Sequence, residues 1–505
     1  MVDANSRPVD TTETDVLVVG AGLAGVCVAQ ELQQCGLDVL VVEAAGRIGG
    51  RLDLQQAGEL ALDAGGAYIG RRHTAMTSLA LRHGITLQPT DSAGASLFDF
   101  GGRLVRSNVT SPPYNALVLG LALDRIEELS REICMRCPGC SPRAAAFDRV
   151  SVRDWAAQEF THPDARSVIE QIVRELLAAE PTAVSALHFF FYTRSGGGLP
   201  FLTAFAGGAQ EFRLEGGTWN LARRVASVLR HPVRLGTPVT QITRDSRQGL
   251  LVKAGTLEIR CRDVVLATGP GPARAVAIDP GLYAKTGNRT YENSRVGVGL
   301  HARPPDGGEA AGTLVAVPPS VATAAAKLHV VYDAPFWQAD GLSGWVTADQ
   351  GPLRFVVDDS VGRVGRGVLV GFLTGNEARA WSAGTVTTHD LMRRLANWFG
   401  PRALAPEHVS VRDWTGSPFT QGCYAGVPVF RGWADAAQAA ANERTLPSRS
   451  SPNSRVWQAG SEYSSWFFGH MEGAVRSACT TAAALVDSRR PAAPGRTSAP
   501  STSTG

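Results

Sequence analysis

The sequence of 505 residues lacks the features that typify membrane and nucleic-acid-binding proteins. It has no run of about twenty apolar residues, the length needed to cross a bilayer. Its net charge is only +3, too small to favour nucleic acid or an acidic membrane surface as a partner. The polar N-terminal segment 1–14 has no apolar core of a signal peptide. We therefore expect a cytoplasmic protein without membrane or nucleic-acid partners.

Cysteine is sparse, with eight in the chain, and only Cys134, Cys137 and Cys140 are clustered. Without secretion signals, we expect reduced thiols. The cluster could hold zinc if a fourth ligand came from elsewhere. However, neither a second C-x-x-C nor a histidine pair lies nearby, and Pro138 and Gly139 favour a turn. The sequence thus predicts a loop here and no metal site.

The most informative feature that is present is a glycine turn near the N-terminus. The apolar run DVLVV at 15–19 predicts a buried parallel strand, and Gly20, Gly22 and Gly25 follow it as G-x-G-x-x-G. The three glycines suit a tight turn, close approach of a pyrophosphate and helix–strand packing, while the helix N-terminus attracts phosphate. A second strand ends at Glu43, whose carboxylate is spaced to hold ribose hydroxyls. We interpret this stretch as a dinucleotide site rather than an ordinary glycine-rich turn.

The residues that follow Glu43 indicate which dinucleotide binds. Arg47 and the sequence Gly49-Gly50-Arg51 resemble the R-x-G-G-R extension of FAD-binding amine oxidases. The resemblance implies tightly held FAD instead of exchangeable nicotinamide, with Arg47, Gly50 and Arg51 beside it.

Three further segments resemble the same family. Segment 62–70 is similar to its D-x-G-G-x-x-x-G motif, which would place Gly65 and Gly66 along the isoalloxazine. Gln210, between two glycine pairs, matches a substrate-cavity glutamine of flavin monoamine oxidases, although alone it would suggest a turn. Val239 occupies the position whose backbone contacts adenine.

Lys327 lies in the segment AKLHVVYDAPFW, which resembles the lysine strand of this family. The resemblance implies that Lys327 holds a water molecule against flavin N5. Burying a lysine costs desolvation energy unless it is partnered, so burial itself would indicate function. The alternative is a strand-edge lysine that points to solvent.

Gly422-Cys423-Tyr424 matches the G-C-Y of monoamine oxidases. The resemblance implies a thioether from Cys423 to the flavin 8α-carbon and makes Tyr424 one wall of an aromatic cage. The alternative for Cys423 is an ordinary buried cysteine.

The segment VWQAGSEYSSWFFGHMEGAV resembles the closing FAD motif, with Gly460, Glu462 and Met471 at the cofactor. A helix opened by Met471 would direct its N–H groups at the flavin and stabilise the reduced form. His470 stands where monoamine oxidases carry the second cage tyrosine, so a titratable polar edge replaces a phenol.

These features predict an α/β fold with a Rossmann-like FAD-binding domain of the amine oxidase type, discontinuous in sequence, and an inserted α+β substrate-binding domain. Helical patterns dominate the inserted part, where Phe189, Phe190, Phe191 and Tyr192 form an aromatic run that is either core or the wall of an apolar pocket. The polar, glycine-rich segment 280–312 fits the family poorly and is interpreted as an insertion or irregular loop. The predicted units are an FAD-binding domain at 14–90, 214–280 and 413–488, a substrate-binding domain at 91–213 and 281–412, and disordered tails at 1–13 and 489–505.

The resemblance implies oxidation of a small-molecule amine to an imine, hydrolysed to aldehyde and ammonia, with reduction of O2 to H2O2. Lys327, Tyr424, His470 and Gln210 are the predicted catalytic residues. Two enzymatic alternatives stay open: an L-amino-acid oxidase, which would need an arginine for the substrate carboxylate, and a flavin-dependent desaturase or dehydrogenase of a biosynthetic pathway. A non-catalytic flavoprotein or chromatin-type demethylase is disfavoured because the sequence has neither a long coiled-coil insertion nor a basic face. A homodimer is one alternative for the assembly.

Overall fold

A computed structural model gives the fold of residues 10–90, 93–108, 114–246, 249–279, 282, 317–363, 365–445 and 455–490. The predicted irregular segment 280–312 lies outside the described residues, apart from Leu282.

The strands fall into two large sheets and three small ones. They are β1 (Asp10–Val19), β2 (Val39–Val42), β3 (Leu54–Ala57), β4 (Leu60–Asp63), β5 (Tyr68–Ile69), β6 (Leu87–Pro89), β7 (Ala95–Phe100), β8 (Arg103–Ser107), β9 (Phe212–Leu214), β10 (Val239–Asp245), β11 (Gly249–Ala254), β12 (Leu257–Leu266), β13 (Ala277–Ile278), β14 (Ser320–Val321), β15 (Ala325–Tyr332), β16 (Leu342–Ala348), β17 (Phe355–Asp358), β18 (Gly367–Thr374), β19 (His408–Asp413), β20 (Val427–Pro428) and β21 (Val456–Gln458).

The helices pack against these sheets or against one another. They are α1 (Leu23–Gln34), α2 (Thr74–Arg82), α3 (Ala116–Arg131), α4 (Ala144–Phe147), α5 (Val152–Glu159), α6 (Pro163–Leu177), α7 (Ala186–Ser195), α8 (Leu199–Leu202), α9 (Thr218–Ser227), α10 (Pro270–Ala273), α11 (Phe336–Ala339), α12 (Asn376–Ser382), α13 (Thr388–Phe399), α14 (Gly432–Thr445) and α15 (Met471–Ser488).

The first large sheet has the strand order β13-β10-β11-β12-β1-β2, with β21 also paired to β12. Strand β1 is parallel to both β12 and β2. Val16, Leu17 and Val18 are completely buried, because α1 and α15 cover Val16 and Val18 on one face while residues of β10, β11 and β12 pack against Leu17 on the other. Burial on both faces explains the continuous apolar run in the sequence. The carboxyl ends of β1 and β2 therefore present Gly20 and Glu43 at one edge, where α/β sheets bind ligands.

The second large sheet has the order β19-β15-β18-β17-β16-β7-β8. Strand β15 lies between β19 and β18, is antiparallel to both, and is buried along its whole length. Its burial carries Lys327 into the interior, so the alternative of a solvent-facing lysine is wrong. The mixed α/β architecture predicted from the sequence is confirmed, whereas the proposed domain boundaries stay a prediction.

The aromatic run is core along most of its length. It forms α7, which packs against α3 and α5. Phe189, Phe190 and Phe191 are fully buried in this helical core, and only Tyr192 faces the cavity described below. Of the two alternatives, core therefore applies to the three phenylalanines and pocket wall to Tyr192, because successive residues of a helix point in different directions.

The inner ends of both predicted disordered tails are ordered. Residues 10–13 extend β1 and pair with β12, because the threonine-rich sequence continues a ladder that the buried strand has begun. At the other end, Arg489 donates hydrogen bonds to Asp263 at 2.5 and 3.0 Å. Residues 1–9 and 491–505 lie outside the described part of the chain.

The expectation of reduced thiols is wrong at one pair, because Cys137 and Cys140 form a disulfide across the turn at Pro138–Cys140. That turn brings their Cα atoms to 5.2 Å, within bridging distance. Cys134 is a free thiol. Within the described ranges, no group of three His, Cys, Asp or Glu side chains is arranged to hold a metal.

The sequence predicts that no segment of the chain crosses a membrane, and the helices can be compared with that prediction. Among the residues with described positions, no helix combines the length and apolarity needed to span a bilayer.

Candidate active site

One cavity of about 1000 Å³ connects the glycine turn after β1 with β15 and the start of α15. Of the predicted site residues, only Gly25 and Glu462 do not line it, and both lie directly behind residues that do. Those that line it are Gly20, Gly22, Glu43, Arg47, Gly50, Arg51, Gly65, Gly66, Gln210, Val239, Lys327, Cys423, Tyr424, Gly460, His470 and Met471.

At one end, the glycine turn brings α1 close to the sheet. A Cβ atom on Gly25 would lie 1.9 Å from the carbonyl oxygen of Gly20, so only glycine permits this packing. Gly22 is the N-cap of α1, and its neighbour across the cavity is Gly50, whose Cα would be 3.8 Å from a Cβ on Gly22. The first N–H groups of α1 therefore face the cavity without side chains in front of them.

Glu43 fixes the same turn from the end of β2. Its carboxylate accepts hydrogen bonds from the backbone N–H groups of Ala21 (2.7 Å) and Ala45 (2.8 Å). The sequence did not indicate this structural role. Each carboxylate oxygen has a further lone pair, and contact with ribose hydroxyls stays a prediction, as does the adenine contact at Val239.

Arg47 and Arg51 hold the second glycine turn in different ways. Arg47 donates to the carbonyl oxygens of Ile48, Gly50 and Leu52 at 2.8–3.1 Å and lies over the Trp414 ring at 5.6 Å. It therefore supports the backbone that faces the cavity.

Arg51 joins three distant segments. Its guanidinium binds both carboxylate oxygens of Glu462 at 2.7 and 2.8 Å, and it also donates to Ser461 Oγ and to the carbonyl oxygen of Tyr424. Burial by itself would raise the pKa of Glu462, but the charge and hydrogen bonds of Arg51 outweigh it and hold that pKa below the usual range. The carboxylate is therefore ionised at neutral pH.

Lys327 reaches the middle of the cavity from β15. It is 6% exposed, and its Nζ donates to the carbonyl oxygens of Asp63 (2.6 Å) and Gly65 (3.0 Å). Burial lowers its pKa, partly offset by the carboxylate of Asp63. An ammonium has three donors, so one remains for a water molecule or ligand next to Gly65 and Gly66.

The backbone under this ammonium is closely packed. A Cβ on Gly65 would lie 2.1 Å from the carbonyl oxygen of Arg51, and one on Gly66 would meet Met471 Sδ at 3.3 Å. Met471 is the first residue of α15, whose first-turn N–H groups have no acceptor within the helix. The positive end of α15 therefore lies at this part of the cavity.

Cys423 and Tyr424 form another wall, joined by a cis peptide bond. The Cys423 thiol is buried, and burial raises its pKa to about 11, so it is neutral at neutral pH. Burial also raises the pKa of Tyr424 well above its usual value. Both side chains thus enter the cavity uncharged.

His470 also lines the cavity and has an aromatic partner that the sequence did not indicate. Its ring stacks on Tyr192, with centroids 5.5 Å apart, and Nε2 is 3.5 Å from the Tyr192 hydroxyl. Nδ1 lies 2.9 Å from the carbonyl oxygen of Phe468 and donates to it. Burial lowers the pKa of His470, although its hydrogen bonds partly oppose this. A neutral histidine backed by a tyrosine therefore forms this wall.

Comparisons with known proteins agree with this arrangement. The sequence profile of the family described as flavin-containing amine oxidoreductase matches residues 23–486. The chain belongs to this family. It is 27% identical over 475 residues to a probable flavin-containing monoamine oxidase A of Dictyostelium discoideum, covering 92% of this chain and 96% of that one.

Solved structures of two amine oxidases are also similar. Cyclohexylamine oxidase from Brevibacterium oxydans IH-35A has a TM-score of 0.79 and 27% identity, covering 94% of this chain and 99% of that chain. Wild-type putrescine oxidase bound to putrescine has a TM-score of 0.78 and 25% identity, covering 94% and 100%.

FAD is the cofactor of this amine oxidoreductase, and the cavity fits it. The N-terminus of α1 and the glycines around it suit the pyrophosphate, whereas the N-terminus of α15, Gly66 and Lys327 suit the electron-rich edge of the flavin. Arg51 and Glu462 connect the two ends.

Polar residues that were not predicted from the sequence also line the cavity of this amine oxidoreductase, among them His73, Gln171 and Glu175. His73 is buried, accepts a hydrogen bond from the Gly70 N–H, and has its ring centroid 5.9 Å from that of His470. Gln171 and Glu175 lie on α6 and are joined by a 2.7 Å hydrogen bond. The sequence predicts a helix in this region, but it does not show which face of that helix meets the cavity.

Gln210 does line the cavity, as the resemblance implied. Its Nε2 donates to the carbonyl oxygen of Leu202, and its Oε1 is buried without a hydrogen-bond partner among the described residues. A catalytic role for it stays a prediction.

Proposed function

We propose that this protein oxidises a small amine to an imine, which hydrolyses to aldehyde and ammonia, while O2 is reduced to H2O2. Bound FAD would accept the hydride equivalent from the amine and pass the electrons to O2. The supporting observation is the single cavity that links the glycine turn at α1 to Lys327, Cys423, Tyr424 and His470.

The amine would bind between Tyr424 and His470. Both groups are uncharged at neutral pH, because burial raises the pKa of the phenol and lowers that of the imidazole. Such a cage favours the neutral amine, the form from which hydride can leave, and excludes water from it. The stacked Tyr192 would keep the His470 ring in place.

The ion pairs of the arginines that line the cavity argue against an amino acid as the substrate. An amino acid needs a guanidinium free to bind its carboxylate. Within the described residues, each arginine that lines the cavity is already engaged by a carboxylate: Arg47 by Asp53, Arg51 by Glu462, Arg174 by Glu170 and Glu180, Arg354 by Glu377, and Arg412 by Asp53.

The proposal is tested by mixing purified holoprotein with a panel of amines and with the corresponding amino acids. We expect amines to bleach the flavin anaerobically and to yield peroxide in air, and we expect amino acids to do neither. Activity on amino acids alone would contradict the proposal. Rapid bleaching without rapid reoxidation in air would indicate a dehydrogenase or desaturase instead.

We also propose that Cys423 carries the flavin through a thioether. Acid denaturation of the wild type should then leave the yellow colour in the pellet, whereas Cys423→Ala should release it to the supernatant while keeping measurable amine oxidation. Cys261→Ala, which changes a buried cysteine outside the cavity, is the control and should behave as the wild type. Colour in the supernatant of the wild type would remove the covalent role.

We also propose a cytoplasmic location and a homodimeric assembly. Cell fractionation and light scattering would test them.

A further inference from the structure

Glu175 is a carboxylate in the substrate cavity for which the amine chemistry proposed above has no use. It lies on the last turn of α6 and lines the cavity. Its Oε1 accepts a 2.7 Å hydrogen bond from Gln171 Nε2, and its Oε2 has no hydrogen-bond partner in the described part of the chain. The neighbouring Arg174 turns to Glu170 and Glu180 instead.

The position of Glu175 is close to the proposed amine cage. The next residue, Leu176, accepts a hydrogen bond from the Tyr192 hydroxyl through its carbonyl oxygen, and Tyr192 stacks on His470. The charge of Glu175 also contributes to raising the pKa of Tyr424. The carboxylate therefore lies on the substrate side of the cavity, near both cage walls.

Without a cation, this carboxylate is poorly stabilised. Burial raises its pKa to about 7, and the hydrogen bond from Gln171 opposes that shift only partly. A ligand that brings a positive charge to Oε2 would compensate for the desolvation of the carboxylate. A substrate that carries its own carboxylate would be repelled by Glu175.

We propose that Glu175 binds a second ammonium group of the substrate, so that the preferred substrates are diamines whose other amino group enters the cage. This inference rests on the proposed amine oxidation and names the substrate class. The amino group in the cage must be neutral to react, whereas the distal one stays protonated and pairs with Glu175. Glu175 is thus a specificity-determining residue that need not touch the reacting nitrogen.

The kinetic test compares unbranched monoamines and α,ω-diamines of equal carbon number on wild type and Glu175→Gln. The substitution keeps the shape and the Gln171 contact but removes the charge. We expect kcat/KM for the best diamine to fall about 10- to 100-fold, mainly through KM, as for loss of a charged hydrogen bond. The monoamine of equal length should change by less than about threefold. Glu128→Gln, an exposed glutamate on α3 (61%), controls for the change in net charge and should leave both values unaltered.

A binding test separates failure of this inference from failure of the proposed reaction. Titration calorimetry on anaerobically reduced holoenzyme measures amine binding without turnover. We expect the wild type to bind the diamine at least tenfold more tightly than the matched monoamine and Glu175→Gln to abolish the difference. Equal affinities in the wild type would overturn the inference, as would an equal loss of both amines in the variant, since Glu175 would then bind the reacting nitrogen. Oxidation of monoamines would leave the proposed function standing in either case.

Discussion

Replacing Arg51 with alanine should yield a protein that no longer retains FAD and whose free energy of unfolding is about 3–5 kcal/mol lower, the usual cost of removing one partner of a buried ion pair. The variant leaves the carboxylate of Glu462, which is 1% exposed, without its bidentate partner. It also removes the hydrogen bonds to Ser461 and Tyr424, so three segments lose their common link. Flavin absorbance of the purified protein and denaturant unfolding measure the two effects.

The control is Arg402→Ala, because Arg402 pairs with Asp333 at 3.0 Å while both side chains are more than half exposed. An exposed pair contributes about 0–1 kcal/mol, so this variant should keep FAD and near-normal stability. Comparable losses in the two variants would contradict the role given to Arg51.

The same ion pair predicts how stability changes with pH. The pKa of Glu462 is lower in the folded protein than in the unfolded chain. The stabilisation is therefore complete above the unfolded pKa and is lost as pH falls through the folded pKa. Arg51→Ala should remove this acid-side contribution.

Replacing Lys327 with methionine should slow reoxidation of the reduced enzyme by O2 about 100-fold or more, with a much smaller effect on anaerobic reduction by amine. The side chains have similar length, but methionine has no ammonium to hold water or to stabilise negative charge that develops as O2 is reduced. Loss of one such preorganised donor costs about 10²–10³ in rate. In the proposed reaction the hydride leaves from a neutral amine in the cage, a step that would not require this ammonium.

Stopped-flow measurement of the two half-reactions separates the effects. Lys253→Met, at an exposed position of β11, is the matched control and should leave both rates unchanged. Equal slowing of both half-reactions by Lys327→Met would refute the oxygen-step role. The FAD content must be checked, since the lysine also donates to the carbonyl oxygens of Asp63 and Gly65.

Local signals made the nucleotide end of the cavity predictable. Gly20 has a positive φ of 105°, and a side chain on Gly25 would collide with the carbonyl oxygen of Gly20, so both glycines are required within one strand–turn–helix unit. The continuous apolar run of β1 likewise predicts its burial. The Gly-Cys-Tyr and Met-Glu-Gly segments indicated the flavin end only through resemblance to a family. They are far apart in the chain, and their separation in sequence does not show how they are arranged in space.

The elements that were misjudged or left open from the sequence depend on contacts that sequence patterns do not show. Residues 10–13 were expected to be disordered, but pairing with β12, more than two hundred residues away, orders them. For the phenylalanines of α7, both core and pocket wall were open from the sequence, and burial by neighbouring helices decides for core. The Cys137–Cys140 disulfide depends on a turn that brings two Cα atoms together.

The sequence by itself determined the dinucleotide-binding glycine turn, because that motif needs particular residue types at short spacing. Its resemblance to a family indicated FAD and most of the residues named as candidates for the cavity. Only the tertiary structure decided how those residues act on one another. It paired Arg51 with Glu462, directed Lys327 onto the carbonyls of Asp63 and Gly65, and stacked Tyr192 on His470. It also placed Glu175 at the cavity with Gln171, and no cation, as its partner. The orientation of α6 depends on tertiary packing, which a local sequence pattern does not show.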